Sequence, residues 1–354
     1  MRLQGDQEHF GSTAQTGGMA VYPFLRHFDL TFHKSGVHLL NRFLESNAGA
    51  RHWLLLSDYA FHDKSKPADV ATFTFVPMKE SFGDLASRIN TVAPSDIKHM
   101  SNVRPEFIEL IKSYPTFSVS VVLGRLRRIS KKEREGLEAD LVMLKRMVDG
   151  WPPRSNSDYY RNLSRDFETL RKEVGGPGAN MRVVRDLIIV SNLVAYLAVE
   201  FRMQLRDATL LWATDRDSMH GFLTKKCSGS LFHNFAFTLF HLLCERQGLD
   251  TEKSYLHLTS PEETGPIWYD APLRIPDLIC GALADMRGGG GEPLAHSHQK
   301  FRPVFDTLLV HEYSQLIFKI DFDKTTREPR ASRLVFNRTP GQTNKLHEFA
   351  STSV

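Results

Sequence analysis

Apolar and polar positions along this chain fall into two recurring patterns. HWLLLSDYA (52–60) is an apolar run that stops at an acid. After the polar stretch HDKSKPAD, the text VATFTFVP is rich in β-branched and aromatic residues. Such runs between polar breaks predict two strands joined by a loop. FSVSVVLGR (117–125), ATLLWATDRDS (208–218) and SYLHLTS (254–260) read as further strands. Between them, ESFGDLASRINTV reads as a helix, PSDIKHMSN as a loop or short strand, and RPEFIELIKSY as a helix with Pro105 near its first turn. NMRVVRDLIIVSNLVAYLAVEFRMQ is apolar nearly all round, which predicts a helix packed on both sides. LFHNFAFTLFHLLCERQG and PLRIPDLICGALADMRGGGG predict two more helices, the second stopped by glycines.

Polarity changes mark the domain limits. Residues 1–20 read as a disordered lead, with Met19 as a second candidate start, and 21–50 as a short amphipathic helix covering one side of the core. From 129 to 180 the text turns charged, with KKEREGLEADLVMLKRMV and DYYRNLSRDFETLRKEV bounded by WPPRSNS and GGPG. This predicts a helical insertion within a core made of 21–128 and 181–325. FDTLLVHEYSQLIFKIDFD reads as a helix or a strand pair, and 326–354 as a polar tail. Strands alternating with helices give an α/β class, a mixed sheet flanked by helices.

Composition narrows the picture modestly. In 354 residues, 41% are hydrophobic and 24% charged, which is ordinary globular text. The net charge of +4 is a weak pull toward a polyanion, so nucleic acid is a candidate partner. Cys227, Cys244 and Cys280 lack CxxC spacing, which predicts neither disulfides nor a zinc site and fits a reducing cytoplasm. The apolar run Leu187–Val199 is too short to span a bilayer, so no membrane partner is expected.

The chemistry lies in the acids. Asp58 and Asp215 each follow an apolar strand, and Asp277 follows Pro276 at what reads as a helix start. Sites in open α/β sheets collect beyond strand ends, so acids distant in sequence can meet there. Crowded carboxylates raise one another's pKa, and Mg2+ or Mn2+ relieves that cost while leaving positions for water and phosphate. Asp217 is a secondary ligand candidate and Asp63 a substitute for Asp58. Each acid also has a structural reading, as a solvated strand end or a helix-dipole partner.

PSDIKHMSN, the following helix and strand FSVSVVLGR, ATDRDS, and RIPDLICGALAD occur in the order found in a bacterial and phage family, catalogued as domain of unknown function 3800, which they resemble. The resemblance implies a ribonuclease-H-like fold over about 52–287, with 129–180 inserted. It places Asp58 at the first-strand acid, Asp96 and Lys98 in a Glu-Leu-Lys element, Asp215 at the later strand acid and Asp277 in the helix. Ser57-Asp58-Tyr59-Ala60 stands where the family has Asp-Glu-Ser-Gly, and Asp96 where it has glutamate. These residues are then the catalytic set of a metal-dependent nuclease or phosphodiester-cleaving enzyme, with Asp58, Asp96, Asp215 and Asp277 as metal ligands. The alternative is a catalytically inactive ribonuclease-H-like protein that binds nucleic acid or a protein partner. A small-molecule phosphohydrolase is a third.

His220 is a candidate proton shuttle, whereas His233 and His241 read as packed or surface residues. RLRRISKKER (125–134) is a candidate phosphate grip, and Trp151, Tyr159 and Tyr160 candidate stacking partners for bases. Gly288–Gly291 reads as a linker, since no GK[ST] follows it.

Overall fold

The computed structural model describes residues 21–130, 132–151, 157–250, 255–261, 265–288, 295–337 and 345–350. The lead 1–20, most of the WPPRSNS break and three of the four glycines at 288–291 lie outside the described residues.

The first strand predictions hold. β1 (His52–Ala60), β2 (Asp69–Pro77) and β3 (Phe117–Leu123) form an antiparallel meander. β4 (Thr209–Thr214) and β5 (Leu256–Thr259) extend it, each parallel to its neighbour. The whole is an eight-stranded mixed sheet in the order β10-β9-β8-β3-β2-β1-β4-β5. Two-residue strands β6 (Met286–Arg287) and β7 (Ala295–His296) pair separately. The α/β class is therefore observed, a mixed sheet flanked by helices.

Side-chain alternation splits the core in two. On β1, Trp53 and Leu55 enter one apolar cluster, while Leu54 and Leu56 enter the other. The first is covered by α1 (Pro23–Ser35), α2 (Val37–Ser46), α5 (Glu133–Asp149), α6 (Ser157–Gly175), α7 (Met181–Gln204) and α8 (Leu231–Arg246). The second is covered by α3 (Phe82–Val92), α4 (Pro105–Ser113) and α9 (Asp270–Asp285). Every residue of α7 from 186 to 202 is buried, as its all-round apolar pattern requires. Among the described residues no helix is long and apolar enough to cross a membrane.

Three readings change. Residues 21–50 form two helices rather than one, broken at Gly36, where a Cβ would lie 2.9 Å from Leu316 Cδ1. The segment after Phe301 ends in β8 (Gln315–Phe322), parallel to β3, preceded by a short helical stretch over 302–309. The supposed tail contains β9 (Pro329–Asn337) and β10 (Lys345–Ala350), which continue the sheet antiparallel from β8. Arginines disguise β9: Arg333 is buried, its guanidinium donating to the Ser35 carbonyl and reaching the Glu312 carboxylate at 3.5 Å.

Candidate functional site

Strand register brings the first two acids together. β1 and β4 run in parallel with Leu56 beside Ala213 and Ser57 beside Thr214. The next step in that register sets Asp58 beside Asp215, just past the end of β4. Asp58 shares the parity of Leu54 and Leu56, so it projects toward the layer that holds α9. It lies two residues inside β1 rather than at its end, opposite Thr72 on β2.

The third acid arrives from that layer. Asp277 sits in the middle of α9, because the helix begins at Asp270 and carries Pro276 inside it. The expectation that Asp277 opens a helix is thus corrected, and dipole stabilisation at a helix start cannot account for it. Asp270, Leu273, Arg274, Asp277 and Gly281 follow helical spacing and line one side of a cavity of about 420 Å³. Asp58, Asp96, Lys98 and Asp215 line the same cavity.

Asp96 reaches the cavity through a tight turn. PSDIKHMSN forms a 3₁₀ turn, Ile97–His99, capped by Asp96, which accepts the Lys98 amide at 2.9 Å. Lys98 Nζ lies 2.5 Å from the other Asp96 oxygen, and its side chain is 67% exposed at the rim. One cation holds this turn and a second ties the preceding end of α3 to α9. Lys300 Nζ donates to the Ile97 and Met100 carbonyls at 2.9 and 3.1 Å. Arg274 donates to the Ala93 carbonyl, to Asn90 Oδ1 at 2.8 Å and to Asp270 Oδ2 at 2.5 Å.

These acids repel one another. Burial raises the Asp58 carboxyl from 3.8 to about 6, with the charges of Asp215 and Asp96 adding to the rise and a Cys280 thiol hydrogen bond opposing it. Asp277 is pushed well above its usual value by burial, then by Asp58 and Asp96, while the Ile97 amide and Lys98 pull it back. Lys98 is raised by its hydrogen bond to Asp96, although partial burial works against it; Asp96, Asp215 and Asp277 all add attraction.

The convergence has a limit. Among the described residues, the group of three potential ligands whose atoms all lie within 4.8 Å of one another is Asp29, His33 and Glu200, elsewhere in the fold. The cavity acids share one space without forming a closed ligand cage. No family model, curated protein or solved structure matches this chain. The site is therefore read from its own geometry.

The secondary candidates take other roles. Asp63 lines the cavity but caps its own turn, accepting from Ser65 N and Oγ at 2.8 and 2.7 Å. Asp217 accepts the Met219 and His220 amides at 2.6 and 2.9 Å, and burial raises it to about 7. His220 packs beside His233, ring centroids 5.3 Å apart, and neither lines the cavity. In the basic run, Arg127 is fully buried and bridges Asp69 at 2.6 Å and Asp186 at 2.6 Å, so it grips the core rather than a phosphate. Tyr159 packs edge-on against Phe237 and donates to Asn234, joining α6 to α8, while Trp151 packs against Tyr160.

Arg274, Cys280 and Lys300 were missed by sequence reasoning.

Proposed function

We propose that this chain is a metal-dependent nuclease or related phosphodiester-cleaving enzyme of ribonuclease-H-like architecture. The observation that carries this reading is the meeting of Asp58, Asp96, Asp215 and Asp277, from four separate segments, on one cavity with Lys98 at its rim. The antiparallel meander followed by a strand parallel to β1, with Asp58 near the end of β1 and Asp215 just past the end of β4, supports the fold part of the reading.

The donor set fits a hard cation. Carboxylates that raise one another's pKa gain from a positive charge between them, and Mg2+ or Mn2+ needs only one or two of them, water completing its shell. Asp58, Asp215 and Asp277 are the ligands, with Asp96 reaching from its turn. A cation there would neutralise phosphate charge and make bound water more acidic. The chain's own part is positional: Lys300 holds the Asp96 turn, Arg274 ties the end of α3 to α9, and Lys98 offers an ammonium to phosphate. Trp268, 61% exposed and two residues before Asp270, offers a stacking face for an unpaired base.

One observation favours the inactive, binding-only alternative: the cavity acids do not form a ligand set within 4.8 Å. The two readings separate in one experiment. Mn2+ titration of wild type and Asp215→Asn is paired with cleavage assays on single-stranded, duplex and hybrid substrates. The proposal expects Mn2+ binding and cleavage in wild type, both lost in Asp215→Asn, and weaker binding of single strands by Trp268→Ala. Substrate binding without Mn2+ uptake or cleavage would establish the binding-only reading instead.

A further inference from the structure

Across the sheet from the acid cavity, α1 and α7 bring two side-chain pairs face to face. Asp29 and His33 lie one turn apart on α1, and Tyr196 and Glu200 one turn apart on α7. Asp29 and Glu200 are only 4% and 3% exposed. Tyr196 donates its hydroxyl to Asp29 Oδ1 at 2.7 Å, and its ring packs edge-on against Phe28 and Phe32. The same Asp29 oxygen lies 3.0 Å from His33 Nδ1. This contact leaves the other ring nitrogen to face Glu200.

His33 Nε2 is buried without a hydrogen-bond partner and stands 4.0 Å from Glu200 Oε1. That gap is too long for a hydrogen bond. It suits two ligands of one ion, which stand about 3.3 to 4.2 Å apart when each bond is about 2.1 Å. One donor atom from each of Asp29, His33 and Glu200 lies within 4.8 Å of the others.

The geometry points to a second metal site at Asp29, His33 and Glu200, chemically unlike the acid cavity. His33 Nε2 and the Glu200 carboxylate bind the ion. The Asp29 main-chain carbonyl accepts the His33 Nδ1 proton at 3.1 Å, with the Tyr196-held carboxylate 3.0 Å from the same nitrogen, which fixes the tautomer that leaves Nε2 to face Glu200; backbone carbonyl or carboxylate support of this kind is the usual partner of a metal-bound histidine. A mixed imidazole and carboxylate set selects a first-row divalent ion such as Zn2+ over Mg2+. Bound there, the ion clamps α1 to α7 and with it the helix that covers β9.

The test uses the full chain, stripped of metal with a chelator and then titrated with Zn2+. Wild type and Asp215→Asn are expected to retain one equivalent and to melt at higher temperature with the ion. His33→Gln and Glu200→Gln, both close in shape to the native residues, should lose that equivalent and the thermal shift. Co2+ added to wild type should give a visible absorption band that Glu200→Gln removes, so the Co2+ spectrum still decides the matter if His33→Gln does not fold. Zn2+ stoichiometry unchanged in Glu200→Gln, or no retained equivalent in wild type, overturns the site. Loss of the equivalent in Asp215→Asn alone would assign the ion to the acid cavity.

Discussion

Replacing Asp58 with asparagine tests the electrostatics of the cavity directly. The carboxyl is raised from 3.8 to about 6 by burial and by Asp215 and Asp96. A folded-state value above the unfolded one means that this group's contribution to stability is complete below about pH 3.8 and is lost as pH rises through about 6. The full shift corresponds to about 3 kcal/mol. With an unfolding entropy of about 2.1 cal/mol/K per residue, the chain should gain about 4 °C in melting temperature at pH 8 in Asp58→Asn. At pH 4 the gain should vanish, because wild type is then protonated as well. Mg2+ should raise the melting temperature of wild type at pH 8 and leave the variant less affected. Melting curves at pH 4 and 8, with chelator and with Mg2+, measure all of this. A variant no more stable than wild type at pH 8, or one whose gain is the same at both pH values, would refute the claim that these acids destabilise one another.

Two further predictions concern buried charge away from the cavity. His233 is lowered from 6.5 to about 3 by burial and by His220, so its contribution is fully present above about pH 6.5 and lost as pH falls toward 3. Roughly 3 kcal/mol is lost by about pH 4.5, and His233→Phe should flatten the acid side of a pH-stability curve; parallel curves for the two proteins would contradict the buried, neutral histidine. Arg127→Met strands Asp69 and Asp186 in the core and should cost about 3 to 5 kcal/mol in urea unfolding, and a loss below about 1 kcal/mol would mean that the guanidinium does not hold that network.

Much of the α/β architecture is legible in the chain because burial imposes period. Strand runs such as VATFTFVP and the all-round apolar α7 announce their layers, and an acid closing an apolar strand marks Asp58 and Asp215 as residues that leave the core. Asp277 was visible as an acid in apolar text, although Pro276 made it look like a helix start. Asp96 has no local pattern and entered only through the family resemblance. The β9 strand was hidden by arginines whose partners come from other parts of the fold.

Composition and periodicity therefore determined the class, the helices within 129–180 and the prominence of two of the acids, since each of these depends on neighbours a few positions away. The meeting of four acids was decided by parallel register between β1 and β4 and by the docking of α9, which no local pattern encodes. Lys300 supports the Asp96 turn from 203 positions along the chain, and Tyr196 reaches Asp29 from 167. Contacts of that span are selected by close packing and the pairing of buried polar groups, so they exist only once the tertiary structure has formed.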